Sequence, residues 1–283
     1  MPWIFFSLLS ILAVSISNIL QRVLMKDDKS DPFLYSIVFQ FAAAAITGTF
    51  ALIKGFALPP IGQLPLNFFL EAVLYGLGTV FIFKSLQSLE SSEVTILSSA
   101  RLLVTIITAV FLLHEPFGLM RILGACLIIF AILLVTERKK GFKLNRGILY
   151  AFLMSLCYGL AVTNDAFILR QNKDVLSYTA IAFFLPGIFL LFIKPDAIKK
   201  MPSLLRPSAF RNMLIMSFFY SVAAVSFYTA IGLGGNASQV GPINQASVIV
   251  TVILAILFLG EKKNLIKKIV SAIIVFAGVL ALR

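Results

Sequence analysis

The chain alternates long apolar runs with short polar breaks, and the runs have the length of membrane-crossing helices. A bilayer core of roughly 30 Å takes about 20 residues of helix. On that measure the pattern predicts helices over 3–25, 33–53, 67–88, 92–113, 117–136, 147–170, 176–193, 209–231, 237–259 and 264–282. The breaks have physical causes. Lys26-Asp27-Asp28-Lys29 is too charged to enter hydrocarbon, and Pro59-Pro60 cannot continue a helix. Glu137-Arg138-Lys139-Lys140-Gly141 is the most polar stretch and lies near the middle of the chain, while Gly234-Gly235-Asn236 marks a short turn. Several connections are tight enough to make successive helices antiparallel neighbours. The predicted fold class is an all-α integral membrane protein of ten transmembrane helices, with no soluble domain.

Composition agrees. Hydrophobic residues make up 60% of the 283, charged residues 13%, and the mean hydropathy is +1.00. A soluble chain of this length has too little polar surface to hide that much apolar side chain, so lipid is the expected partner. The net charge of +12 does not point to nucleic acid, because the basic residues fall between apolar runs, where they set topology and meet headgroups. Cys126 and Cys157 both lie inside apolar spans and form no disulfide framework. Met-Pro-Trp-Ile-Phe-Phe lacks a basic start and a small-residue cleavage site, so the first run is expected to be a retained helix.

Self-comparison shows a repeat. Sliding the chain by 146 residues aligns 81–136 with 227–282 without a gap. Phe81 falls on Phe227, Ser92 on Ser238, Val94 on Val240, Ala100 on Ala246, Thr105 on Thr251, Ala109 on Ala255 and Glu115 on Glu261; the same offset places Asn18 on Asn164. Apolar helices resemble one another by composition, but a single offset that also matches Glu, Asn, Ser and Thr argues for duplication. The repeats are 1–140 and 141–283. Five crossings is an odd number, so the second copy enters the membrane from the other side. The halves are then inverted repeats, an architecture that places a transporter's site at the midplane between them.

The sequences Leu112-Leu113-His114-Glu115-Pro116 and Phe258-Leu259-Gly260-Glu261-Lys262 resemble the two copies of a signature in EamA-type proteins of the drug/metabolite transporter superfamily. The second copy keeps Leu-Gly-Glu, whereas the first has His114 where glycine is usual. The resemblance spans essentially the whole chain. It implies ten helices around a central cavity and alternating access, and it does not imply a particular substrate; no cofactor is expected.

Arg101, near the middle of the fourth span, is the sharpest candidate, since a charge there costs at least about 2.5–3.5 kcal/mol on insertion scales. Ser98, Arg101, Thr105 and Thr108 fall within about 80° on a helix, and Asn244, Ser247 and Thr251 form the equivalent stripe in the ninth. One reading is a cavity in which Arg101 attracts a carboxylate or phosphate; the other is a structural arginine held by carbonyls or a buried acid. Asp165 is a candidate proton carrier, or else an interfacial acid paired with Arg170; it differs from Arg101 in depth by more than about 10 Å, which excludes an ion pair. Asn18 and Asn164 either join helices or meet substrate. Gln21 and Ser17 extend the polar side of the first span, Gln40 is a cavity candidate in the second, and Tyr75, Tyr158, Tyr220 and Tyr228 either line a route or pack. Glu71 and Lys84 are expected to reach the headgroups. Glu115 and Glu261 read as caps of the helices that follow them, with Pro116 at a first helical position. Pro186-Gly187 and Gly241-Pro242 are hinge candidates, static kinks being the other reading. His114 is the single histidine, so no metal site is expected.

Lys and Arg number 17 around the first, fifth, seventh and ninth connections and 5 on the opposite side. That bias puts both termini outside, whereas transporters of the resembling kind are described with cytoplasmic termini. The function expected is carriage of a small organic metabolite across a plasma (inner) membrane by alternating access, driven by protons or a counter-substrate, with a homodimer left open. A flippase for a lipid-linked sugar or amphiphile and a non-transporting scaffold or sensor are the alternatives. An enzyme is not expected, because there is one histidine, no zinc-ligand spacing and the acids are scattered.

Overall fold

The computed structural model describes residues 2–26, 30–113, 118–135, 145–169, 174–232 and 243–281. The elements are α1 (Pro2–Met25), α2 (Pro32–Lys54), α3 (Pro65–Ser88), α4 (Ser91–Leu97), α5 (Ala100–Leu113), α6 (Leu119–Val135), α7 (Arg146–Leu169) and α8 (Val175–Ile193). After a 3-10 turn (Pro195–Lys200) come α9 (Met201–Leu204), α10 (Pro207–Gly232), α11 (Ser247–Leu259) and α12 (Leu265–Ala281). Among the described residues, seven helical stretches are long and apolar enough to cross a membrane: α1, α2, α3, α4 with α5, α7, α8 and α10, while Ile122–Val135 and Ser247–Leu259 are shorter apolar helices.

Local chemistry sets the ends. The ring of Pro32 suits the first turn of α2, and Asp31 caps it, accepting from the amides of Phe33 at 2.9 Å and Leu34 at 3.3 Å. Gly260 ends α11 in the left-handed region at φ 66°, a turn that costs a side chain strain and that aims Glu261 back into the bundle. Two features depart from the hydropathy reading. The connection between α8 and α10 is itself helical, and it docks through Lys200, whose ammonium lies 2.5 Å from Asp31. The fourth span is broken at Ser98 and Ser99, where Arg101 N bonds the Ser98 carbonyl and Leu102 N the Ser99 carbonyl in a tighter i to i+3 pattern. The second half has a similar tight turn at Gln245 and Ala246, with Val248 N on the Gln245 carbonyl.

Helix packing follows the repeat. α1 lies on α10, α3 on α7, α2 on α8, α6 on α12, α5 on α7 and α11 on α1. Exchanging the halves turns α1–α10 into α7–α3 and α5–α7 into α11–α1, and leaves α2–α8 and α6–α12 as themselves. These six pairings are thus closed under the exchange.

Large apolar side chains face outward, among them Phe192 at 82% exposed, Ile266 at 78% and Phe111 at 74%, whereas Ser7, Ser10, Ser15 and Ser17 of α1 are buried. This is the burial pattern of a protein solvated by hydrocarbon. The buried hydroxyls join helices: Ser10 Oγ donates to the Ala223 carbonyl at 2.9 Å, Ser17 Oγ to Met216 at 3.2 Å and Ser15 Oγ to Ser247 at 3.2 Å. At Gly159 of α7, an added Cβ would lie 2.5 Å from the Val104 Cβ and 2.7 Å from the Arg101 carbonyl, so only glycine permits α5 this close.

Candidate functional site

The two tight turns face a cavity in the middle of the bundle. Ser98 and Arg101 enter it from the first break, and Gln245 and Ser247 from the second. Asn18 and Gln21 of α1, Thr79 of α3, Ser91 and Thr95 of α4, Tyr158 of α7 and Tyr220 of α10 complete the polar wall. Phe39, Phe83 and Val248 supply the apolar wall, with Phe39 edge-on to Tyr220 at 5.1 Å between ring centroids. The open volume is about 70 Å³. That holds a few waters, whereas organic ligands occupy sites of roughly 300–1,000 Å³, so a solute needs the walls to part. A second cavity, of about 330 Å³, lies at the α1 C-terminus among Arg22, Glu90, Glu93, Asn145 and Lys263. Between the two, the Arg22 guanidinium donates to the Leu86 carbonyl.

Arg101 is partly accessible, and among the described residues its guanidinium has no hydrogen bond or ion pair. Tyr158 and Tyr220 line the same cavity as Arg101. Among the described residues, Gln21 Oε1 on the same wall is buried with no partner, as is Asn244 Oδ1, although Asn244 is not one of the residues that line the cavity. A cation with unclaimed donors and a wall acceptor with an unclaimed lone pair are groups able to hold a polar solute.

The remaining sequence candidates separate into helix contacts and a second polar cluster. Thr105 Oγ1 donates to the carbonyls of Arg101 at 3.0 Å and Gly159 at 3.1 Å, and Thr108 meets Thr163 at 2.6 Å, so the lower part of that stripe faces α7. Thr251 is fully buried and accepts from Asn18 Nδ2 at 3.4 Å. Gln40 Nε2 donates to Thr79 Oγ1 at 2.7 Å from behind the cavity wall. Pro186 lies inside α8 beside Gly187, which packs closely on the Phe41 ring. Gly241, Pro242, His114, Glu115, Pro116 and Arg170 lie outside the described residues.

Asp165 is 8% exposed and accepts from two phenols, Tyr75 at 2.6 Å and Tyr178 at 2.7 Å. Glu71 stands beside it, fully buried, which corrects the expectation that this carboxyl reaches the headgroups. Lys84 likewise sits over the rings of Tyr150 at 5.2 Å and Phe33 at 5.3 Å. Asn164 Nδ2 donates to Glu71 Oε2 at 3.1 Å, and Asn67 Nδ2 to Asn164 Oδ1 at 2.7 Å. A signal for this cluster was present in the sequence. Asn67, Glu71, Tyr75 and Thr79 recur every four residues and so form one polar stripe along α3. Glu261 caps a helix, though not the one after it: its carboxylate takes the amides of Ser91 and Ser92 at the start of α4.

The model of the EamA-like transporter family matches the chain twice, over residues 1–137 and 145–283. No curated protein matches it. A solved structure described only as "Crystal structure of protein" superposes with a TM-score of 0.63 over 98% of this chain and 94% of that one. At 15% identity that likeness speaks for the fold alone.

Proposed function

This chain belongs to the EamA-like transporter family, and from that premise we propose that it carries a small anionic organic solute across a plasma (inner) membrane. At the coarser level it is a multi-pass membrane transporter of small molecules. The finer reading takes the chain as ten crossings in two inverted halves, with the central cavity opening alternately to either side.

One observation carries the anionic reading. Arg101 stands midway along the fourth span with no protein partner among the described residues. Leaving a guanidinium unpaired in the bilayer costs several kcal/mol unless water or a ligand holds it, and a carboxylate or phosphate fits its donor fork. Amino acids and other carboxylate- or phosphate-bearing metabolites are the candidate solutes. The unequal environments of the equivalent asparagines support two interconverting states: Asn18 meets Thr251, while Asn164 meets Asn67 and Glu71. Inverted halves in different conformations are what a carrier closed on one side contains.

The test is counterflow in proteoliposomes with labelled amino acids, carboxylates and sugar phosphates. The expected result is saturable exchange of one such class, lost in an Arg101→Ala variant that keeps the wild-type melting temperature. Exchange unchanged in that variant removes Arg101 from solute binding, and no exchange of any anionic class by the wild type overturns the proposal.

A further inference from the structure

The carboxyl groups of Glu71 and Asp165 are within hydrogen-bonding reach of each other, in a part of the bundle where the two residues are 0% and 8% exposed. Counting donors around them leaves the pair one hydrogen short. Asp165 is satisfied on both oxygens, Oδ2 by the Tyr75 phenol and Oδ1 by the Tyr178 phenol. Glu71 Oε2 accepts from the Asn164 amide. Among the described residues Glu71 Oε1 is buried with no partner; the Tyr178 phenol also reaches Glu71, but its single hydrogen is already given to Asp165, which itself offers only acceptor oxygens. Two ionised carboxylates this close in a low-dielectric site repel strongly, and an orphaned buried carboxylate oxygen is costly in itself. A proton on Glu71 Oε1, donated to Asp165, removes both penalties.

No cation does that work instead. Among the described residues neither carboxyl has a Lys or Arg partner. The titratable groups facing the pair are Tyr75 on α3, Tyr178 on α8 and, toward the cavity, Tyr158 on α7, Tyr220 on α10 and Arg101 on α5. α2, which packs on both α3 and α8, contributes only Tyr35 and Lys54, near its two ends.

The pair is also joined to the cavity wall. The Tyr75 ring, whose hydroxyl holds Asp165, lies 5.5 Å from the Tyr158 ring. Thr79 Oγ1 donates to the Tyr75 carbonyl at 2.7 Å and is 3.2 Å from the Tyr158 hydroxyl, and both Thr79 and Tyr158 line the cavity. A solute that moves Tyr158 therefore moves a donor of Asp165.

We propose that Glu71 and Asp165 form an intramembrane proton-binding site, a carboxyl pair holding one shared proton that is gained from and returned to water as the solute crosses. The coupling half of this statement rests on the transport reading above; the proton site does not. Proton uptake adds one H⁺ to the doubly ionised pair from the compartment it faces, and release returns that H⁺ to the other.

Infrared spectroscopy of the full-length protein in lipid reads the site directly. The wild type is expected to show the C=O stretch of a protonated carboxyl at neutral pH, lost on alkaline titration and absent from Glu71→Gln/Asp165→Asn. In proteoliposomes the same isosteric variant is expected to keep solute exchange and lose accumulation driven by an imposed pH gradient. A wild type without the band at neutral pH overturns the site. A variant that still accumulates solute down the gradient overturns the coupling. A wild type that shows the band yet moves no solute overturns the transport reading and upholds the pair.

Discussion

Glu261 reaches across from the second half of the chain to Ser92 in the first: its Oε2 accepts from the Ser92 amide at 3.0 Å and the Ser92 hydroxyl at 2.5 Å, while Oε1 takes the Ser91 amide at 2.7 Å. The unpaired amides at the start of α4 are positive, and a carboxylate there is held by both hydrogen bonds and the helix dipole. Lys268 of α12 binds Glu90 just before the same helix, so the second half grips both sides of the α4 N-terminus. Replacing Glu261 with Ala strips three donors of their acceptor at a buried site. The expected loss is about 2–4 kcal/mol, read as a lower melting temperature in detergent, with Glu261→Gln falling between it and the wild type.

Gly159 sets the distance between α7 and the backbone that carries Arg101. Gly159→Ala forces a Cβ against Val104 and the Arg101 carbonyl, and overpacking of this kind costs about 1–3 kcal/mol. The variant should melt lower and, because Arg101 shifts with its backbone, bind solute more weakly. Thermal melting together with the KM of exchange checks both effects.

Arg101→Lys separates charge from shape. A lysine keeps the charge and loses the planar fork that grips a carboxylate with two parallel bonds. Losing one charge-assisted bond costs about 1.5–3 kcal/mol, so exchange should fall roughly tenfold to a hundredfold in kcat/KM. Equal rates for the two proteins would mean that Arg101 acts only through its charge.

Asp31 gives the protein an acid-sensitive joint outside the spans. Burial pushes its carboxyl up, but the bond from Lys200, the amides of Leu34 and Phe33 and the charge of Lys194 together hold it below the ordinary value. A carboxyl lowered on folding stabilises the fold above its unfolded value of about 3.9, and that stabilisation is lost as pH falls through the lower folded value. Asp31→Asn keeps the cap and loses the ion pair with Lys200, whose side chain is 58% exposed, so the neutral-pH difference should be at most about 1 kcal/mol. Melting curves of wild type and variant should differ at neutral pH, begin to approach each other below about pH 4, and meet only below the lower folded value.

Much of this architecture is legible in the apolar pattern, because in a bilayer the length of a hydrophobic run is set by the solvent. The pattern could not reveal the break at Ser98 and Ser99, since the apolar run continues through it and only backbone hydrogen bonding marks the turn. Arg101 stood out because a mid-span charge is costly wherever it points. Glu71 did not, because its place near a helix end suggested the headgroups, and only α7 and α8 folding over it bury it. The same is true of Glu261. Its local sequence suggests a cap for the next helix, but its partner Ser92 lies 169 residues away in the chain.

The central claim is that two matching halves enclose a wet polar pocket in mid-membrane. Thiol accessibility tests it most directly, in a background with Cys126 and Cys157 replaced by Ala. Ser98→Cys and Gln245→Cys place a thiol on the cavity wall from each half, whereas Thr105→Cys and Thr251→Cys place it in a helix contact. A small water-soluble methanethiosulfonate should modify the first two and leave the second two intact. Four unreactive thiols, or equal labelling of all four, would contradict it.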